Sequence, residues 1–389
     1  MGSKKQKVTL SILLMNLFIA FLGIGLVIPV LPTIMNELSI NGKVVGYMVA
    51  AFAITQLIVS PFSGRWVDRF GRKIMIVIGL FIFGISEFLF GIGKTVEILF
   101  LSRILGGVSA AFIMPAVTAF IADITTTETR SKALGYMSAA ISTGFIIGPG
   151  IGGFLAEIST RMPFYSAGVL GIVAAILSLV LLTEPERQQE AVTTEQGEKT
   201  GLARIFVPKY FIAFIIIFIF SFGLAAFESL FSLFVDHKFS FTPKDIAIVI
   251  TGSAIVGAIG QIVLFDPLTR KLGEIGVIRY SILVSAVLTF LMTIVHTYFT
   301  ILLVTFVLFI GFDLMRPAVT SYLSKIAGNE QGFVGGMNSM FTSIGNIFGP
   351  IIGGILFDVD LNYPYYFATI VLAIGFVLAL FWKKPKSYA

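Results

Sequence analysis

Twelve uninterrupted apolar stretches, each about twenty residues long or a little more, constrain this chain more than anything else in it. They fall at about 8–32, 44–64, 74–93, 98–122, 133–156 and 164–183, then at about 207–235, 245–265, 277–297, 299–323, 333–357 and 364–382. A hydrocarbon core about 30 Å thick needs roughly twenty helical residues to cross it. Inside that core every backbone donor and acceptor must be satisfied by the protein itself, so only helices or a closed barrel can span it. Barrel strands would alternate polar and apolar residues over about ten positions, and these runs do not alternate. Composition points the same way: 57% of residues are hydrophobic and 12% charged, far from the balance of a soluble domain. The expectation is an all-α integral membrane protein with twelve transmembrane helices.

One long polar stretch, TEPERQQEAVTTEQGEKTGLAR, separates the first six runs from the last six. It reads as a linker over 184–206 between a bundle at 1–183 and a second at 207–389. Most of the 27 basic residues fall at the termini and in the even-numbered loops, which places both termini in the cytoplasm by the positive-inside rule. Trp382, Lys383 and Lys384 mark the last helix leaving on that side. The net charge of +6 is thereby explained by topology, with no call for nucleic acid. Lys4, Lys5 and Lys7 precede the first run, but it is too long for a signal peptide and no small-residue cleavage site follows. The chain has no cysteine, which excludes disulfides, thiolate nucleophiles and cysteine metal sites. His237 and His296 are expected in outer loops, as ordinary loop residues rather than proton carriers; no metal site is expected.

GFIIGPGIGGF at 144–154 returns as GNIFGPIIGGI at 345–355. The glycines satisfy the loose pattern G-x-G-x-x-G, but they sit inside an apolar run and lack the strand, the helix and the acid of a dinucleotide site. An offset of 201 pairs Gly135 with Gly336, Gly144 with Gly345, Gly148-Pro149 with Gly349-Pro350, Gly152-Gly153 with Gly353-Gly354 and Pro163 with Pro364. At 202, PAVT from Pro115 pairs with PAVT from Pro317. The halves are parallel repeats, an arrangement of transporters whose site lies where the repeats meet. The glycines of the fifth and eleventh runs would let helix backbones approach closely, and the prolines would bend them.

Three motifs carry a resemblance over nearly the whole chain. GRWVDRFGRK at 64–73 matches G-x-x-x-D-[RK]-x-G-[RK]-[RK] at each fixed position, LGIGLVIPVLP at 22–32 matches a first-helix motif, and GFIIGPGIGG matches an antiporter motif. The sequence resembles the bacterial twelve-helix drug:proton antiporters of the major facilitator superfamily. The resemblance implies two six-helix bundles, a multi-pass protein of the bacterial cytoplasmic membrane, export of lipophilic drug-like compounds, protons as coupling ion without other cofactor, and function as a monomer among membrane lipid. It makes Gly144, Gly148, Pro149, Gly152 and Gly153 the antiporter motif, associated with export. Pro267, in DPLTRKLGE, stands where the family would have a basic residue. Physically, Asp68 at a helix boundary can bond helix-terminal amides or a basic partner and lock the inner mouth; Arg69, Arg72 and Lys73 serve the same gate or are topogenic charges.

Glu87, Arg103, Glu228, Asp313 and Arg316 lie within otherwise apolar runs, where a charge costs roughly 2.5–3.5 kcal/mol at the membrane centre. Their repeat partners are Thr289, Thr305, Ile28, Ala111 and Met114, so the shared scaffold does not require them. Asp313 and Arg316 share a helical face and could pair, with Arg316 tuning the acid. A carboxyl group in an apolar cavity favours its protonated form, and an arriving cation favours the ionised one. That competition is the chemistry of antiport. The resemblance makes Glu228 and Asp313 the proton-coupling acids and gives Arg103 a share in proton transfer. Structural pairing is the alternative for each, and the preferred role for Glu87.

Phe227, Phe231 and Phe234 follow a helical spacing around Glu228, so at least one is expected beside the acid, where a ring would suit a flat cation. Phe231 is the candidate, against a lipid-facing alternative. Gln56 and Asn338 are candidate hydrogen-bond partners for substrate, or interhelical contacts. Together with Glu228 and Asp313 they complete a substrate-binding set. No Walker lysine loop appears, and an enzyme is not expected. The alternatives are a proton-coupled metabolite transporter, which the first-helix and antiporter motifs disfavour, and a channel or receptor, which no charge ring or sensing domain supports.

Overall fold

The structure, a computed structural model, describes residues 4–185, 208–327 and 331–382. Most of the 184–206 linker therefore lies outside the described residues. Among those residues there is no strand, and eleven helices are long and apolar enough to cross a membrane. In order they are α1 (Lys4–Val27), a short α2 (Leu31–Glu37) that continues it after a 3-10 turn, α3 (Gly42–Phe70), α4 (Arg72–Ile92), α5 (Val96–Ile124), α6 (Thr127–Ala156) and α7 (Met162–Leu181). Then follow α8 (Pro208–Phe239), α9 (Pro243–Ile294), α10 (Tyr298–Ala327), α11 (Gln331–Phe357) and α12 (Tyr363–Phe381).

The helices overrun the apolar stretches. α3 carries Arg65, Asp68 and Arg69 before it stops at Phe70, because Gly71 leaves helical space at φ 102°. α9 is 52 residues long and breaks at Gly273, with φ 71°. Both glycines hold a left-handed conformation that a Cβ disfavours, and each separates two helices. His237 lies in the last turn of α8, not in a loop, 3.8 Å from Asp236; His296 does lie in the connection after α9.

The helices form two compact units. The first comprises residues 1–40, 51–192 and 241–251, and the second 41–50, 193–240 and 252–389. Each thus includes the start of one helix whose remainder belongs to the other. In the first unit α1 packs on α6 and α7, and α4 on α5 and α7. Leu13, Leu17, Ile76, Leu80, Ala116, Val117 and Phe120 fill its core at 0% exposure. In the second, α8 packs on α11 and α12, around an aromatic cluster in which Phe227 lies 5.2 Å from Phe231, 5.6 Å from Phe312 and 6.0 Å from Tyr365.

The repeated glycines explain the closest helix pairs. A Cβ on Gly144 would lie 2.7 Å from the Phe18 carbonyl, one on Gly148 2.6 Å from that of Leu22, and one on Gly152 would overlap that of Leu26. The three form one stripe of α6 seated on the backbone of α1. Gly345 and Gly349 repeat this on α8, against the Phe222 amide at 2.7 Å and its carbonyl at 2.6 Å. Pro149 and Pro350 stand inside α6 and α11, and Pro115 and Pro317 inside α5 and α10, at repeat-equivalent positions.

Candidate functional site

In the first unit the charged groups within helices meet partners. Glu87 on α4 is 3% exposed, and its Oε1 pairs with Arg103 Nη2 on α5 at 3.4 Å. The Arg103 guanidinium also lies 4.5 Å from the centre of the Phe90 ring, within cation–π range. Glu87 Oε2 and Arg103 Nε stay buried without a hydrogen-bond partner. Gln56, half-buried on α3, runs beside α5, with its backbone amide 3.2 Å from where a Gly107 Cβ would be.

At the α3–α4 junction Arg72 is 8% exposed. It donates from Nε to Asp123 Oδ2 at 2.8 Å and from Nη1 to the Val67 carbonyl at 3.2 Å, and pairs with Asp68 at 3.3 Å. Glu184 accepts from the first amides of α4, those of Arg72 at 2.6 Å and Lys73 at 2.8 Å; a carboxylate is favoured at that helix end. Arg69 is exposed beside Phe70. Arg72 is therefore an anchored side chain rather than a freely solvated topogenic charge. Asp123 and Glu184 carry no distinguishing signal in the sequence, because each sits at the end of an apolar run where an acid looks like a loop residue.

In the second unit the intramembrane charges are gathered but not joined. Glu228 is exposed although its neighbours Phe227 and Leu230 are 1% and 0% exposed, so its carboxyl leaves the packed face of α8 for accessible space. Arg316 and Asp313 are the charges that act on Glu228, and Arg316 is the one that acts on Asp313. None of these three side chains makes a direct hydrogen bond or ion pair among the described residues. Sharing a face at spacing three does not bring Asp313 and Arg316 into contact: Arg316 is exposed, and Asp313 turns inward to α9. There its Oδ2 occupies the space that a Gly257 side chain would fill, with the half-buried Phe309 against the same glycine. Helix backbone has no spare amide to offer, which accounts for a carboxylate without a donor.

The aromatic expectation needs correction. Phe227, Phe231 and Phe234 are 1%, 3% and 0% exposed and belong to the packed cluster, so Phe231 faces the core rather than the open side where Glu228 points. Helical spacing puts the three rings on one face, and that face is the core. Half-buried Phe309 is beside Asp313, its Cβ 3.3 Å from where a Gly257 Cβ would lie, with its ring 6.2 Å from that of Phe227; Phe306 packs on Gly252, about two turns earlier on α10. Asn338 is half-buried on α11 but far from the acids. Phe341, one turn on, stacks on Phe214 at 5.5 Å, and Phe214 precedes Glu228 by about 21 Å of helix rise. Gly153 turns from α1 toward the start of α9, where a Cβ would lie 3.1 Å from the Pro243 carbonyl; next to it Lys244 pairs with Glu157 at 3.0 Å.

The Major Facilitator Superfamily profile matches residues 13–240 and 213–388. Over 382 residues the chain is 73% identical to Multidrug resistance protein 1 of Bacillus subtilis (strain 168), covering 98% of each. It is 47% identical over 376 residues to the Quinolone resistance protein NorA of Staphylococcus aureus (strain COL), covering 97% of each. Among solved structures, the bacterial homologue of the human lysosomal transporter Spinster, inward-facing and occupied, superposes with a TM-score of 0.81 at 16% identity over 97% of both chains; that likeness concerns the fold alone. With both halves matched and near full-length relatives at such identity, the chain belongs to the Major Facilitator Superfamily.

Proposed function

We propose that this protein is a proton-driven multidrug exporter of the bacterial cytoplasmic membrane. The observation that carries the proposal is the 73% identity over nearly the whole chain to a multidrug resistance protein. Twelve crossings follow if α9 crosses twice: at 1.5 Å per residue its 52 residues would reach about 78 Å, more than two hydrocarbon thicknesses, and Gly273 divides it. Both termini and the α3–α4 junction are then cytoplasmic, and bundles over 1–183 and 207–389 alternate access as a monomer surrounded by lipid. Protons are the coupling ion, with no other cofactor and no part for nucleic acid.

Glu228 and Asp313 carry the exchange. Without a fixed partner, each holds a proton or takes the positive charge of a lipophilic cation. Arg316, acting on both acids, favours the return of a proton to the medium once drug approaches. Phe309 offers an apolar side chain beside Asp313. Asp68, Arg69 and Arg72 belong to the cytoplasmic gate, and the glycine stripe of α6 keeps α1 in place as the bundles move. The test is ethidium movement in proteoliposomes under an imposed pH gradient. Native protein concentrates the dye, and Glu228→Gln and Asp313→Asn each fail to; a native protein that moves no dye under the gradient overturns the proposal. With two protons exchanged per monovalent cation, one net charge moves inward and the membrane potential contributes roughly 2.3 kcal/mol per 100 mV. A transport rate indifferent to potential would reject that ratio.

A further inference from the structure

The motif at residues 64–73 is not repeated in the second half as a sequence, yet its key contact is repeated with the charges exchanged. At the offset of 202 that aligns Pro115 with Pro317, Gly71 falls on Gly273, Arg72 on Glu274, Asp123 on Lys325 and Asp68 on Arg270. Gly71 and Gly273 both have positive φ, at 102° and 71°, and each opens a helix. The residue after each glycine carries the enclosed charge, with side chains 10% and 14% exposed for Arg72 and Glu274. In both units the partner comes from the proline-bearing helix, eight residues beyond Pro115 or Pro317: Asp123 takes Arg72, and Lys325 takes Glu274.

An ion pair requires opposite signs, not a particular assignment of them. Reversing one partner alone would have set like charges together at a partly enclosed site; both are reversed, and the contact survives. Lys271 beside Arg270 has the sign of its counterpart Arg69, so the inversion is confined to the positions that contact one another in the first unit. α10 carries Asp313 and Arg316 and ends its described length two residues after Lys325. It is thereby held at two levels, by Asp313 against Gly257 in the first part of α9 and by Lys325 against Glu274 at the start of the second.

We propose that Gly273, Glu274 and Lys325 form a charge-reversed counterpart of the Gly71–Arg72–Asp123 clamp, whose work is to position α10, and with it Asp313, throughout the transport cycle. Glu274 and Lys325 are positioning residues: they touch neither proton nor drug in the exchange. The part of the claim that concerns transport rests on the proposed efflux activity; the clamp itself does not.

The experiment compares Glu274→Lys, Lys325→Glu and the double swap in proteoliposomes driven by a pH gradient, with ethidium as the probe. Each single reversal is expected to lower the transport rate about tenfold or more, and the swap to return it to within about threefold of native. Single variants at native rate, or a swap no better than either, would overturn the clamp. Thermal unfolding of the purified proteins reads the same cycle without transport: the midpoint falls in each single variant and recovers in the swap. That arm holds even if native protein moves no dye, a result that would strike the efflux proposal and leave the clamp to be judged by unfolding. Cysteines at 274 and 325, in a chain that has none of its own, can be joined by a short flexible bifunctional thiol reagent. A clamp that stays closed lets the joined protein transport at the rate of the unjoined one. Loss of transport on joining, with the unfolding midpoint raised, would make the contact a gate that must open and would overturn the positioning role.

Discussion

The first unit pairs the charges within its apolar spans, and the second, which pairs Glu274 with Lys325 at the Gly273 break, leaves those within its spans apart. Glu87 meets Arg103 at 3.4 Å, whereas Glu228, Asp313 and Arg316 act on one another without direct contact. The scaffolds are otherwise close copies, with matched glycine stripes, prolines and positive-φ glycines. A charge that is paired and enclosed is costly to disturb, so it holds helices. A carboxylate left without a partner can be neutralised by either of two cations, and that is what an exchanger needs. The repeat thus supplies a frame, and the asymmetry of its charges divides the labour.

The most damaging change should be removal of the free acids. Glu228→Gln or Asp313→Asn is expected to bring gradient-driven ethidium transport to the level of empty liposomes, while Glu87→Gln keeps it within about threefold of native, since the amide still accepts from Arg103. Equal loss from Glu87→Gln would break the comparison. Next in size is Arg72→Ala, which strands Asp123 and should cost about 3–5 kcal/mol by the usual penalty for breaking a buried pair. Arg316→Ala, with no direct partner to strand, should cost less than about 1 kcal/mol. Thermal unfolding in detergent measures both.

Smaller effects sharpen the comparison of the scaffolds. An added methyl at Gly152 overlaps the Leu26 carbonyl, while one at Gly353 meets the flexible Leu230 Cδ1 at 3.1 Å. Gly152→Ala should therefore destabilise by about 2 kcal/mol, and Gly353→Ala by under about 1 kcal/mol. Reversal of that order would mean that the two stripes do not bear on their partners as the packing indicates. The smallest effects concern the ends of α4 and α9. Arg161 donates to the carbonyls of Gly91 at 3.0 Å and Gly93 at 2.7 Å, while Lys238 donates to those of Met292 at 3.1 Å and Thr293 at 2.5 Å. At the 201 offset these cations do not correspond: Arg161 aligns with Asn362, and Glu37, which pairs with Arg161 at 3.2 Å, aligns with Lys238. Both units place a cation where the helix dipole favours one, from different positions. Arg161→Gln and Lys238→Gln should each cost about 1–2 kcal/mol in the same unfolding assay.

The helices and the glycine stripes were legible because both are written in position: run length fixes a span, and a repeat offset of 201 pairs the glycines. The Glu274–Lys325 pair was hidden because the repeat preserves the contact and not the residues. Pro267 departs from the family pattern, while the paired positions stand seven residues and more beyond it. Periodicity tells which residues share a face but not what that face meets, and the face that holds Phe231 is buried. The spacing of Asp313 and Arg316 allows a pair that side-chain direction denies, since the Asp313 carboxylate enters the space left by Gly257 while Arg316 is exposed. Asp123 and Glu184 lie where a run of apolar residues ends, and only the fold brings them to Arg72.

The central claim is that proton and cation compete at the unpaired acids of the second unit. It is tested most directly by counting protons released into a weakly buffered solution when tetraphenylphosphonium binds purified protein. Native protein and Glu87→Gln should release protons on binding, and the Glu228→Gln, Asp313→Asn double variant should release none. Undiminished release from the double variant, or release lost in Glu87→Gln alone, would contradict the account.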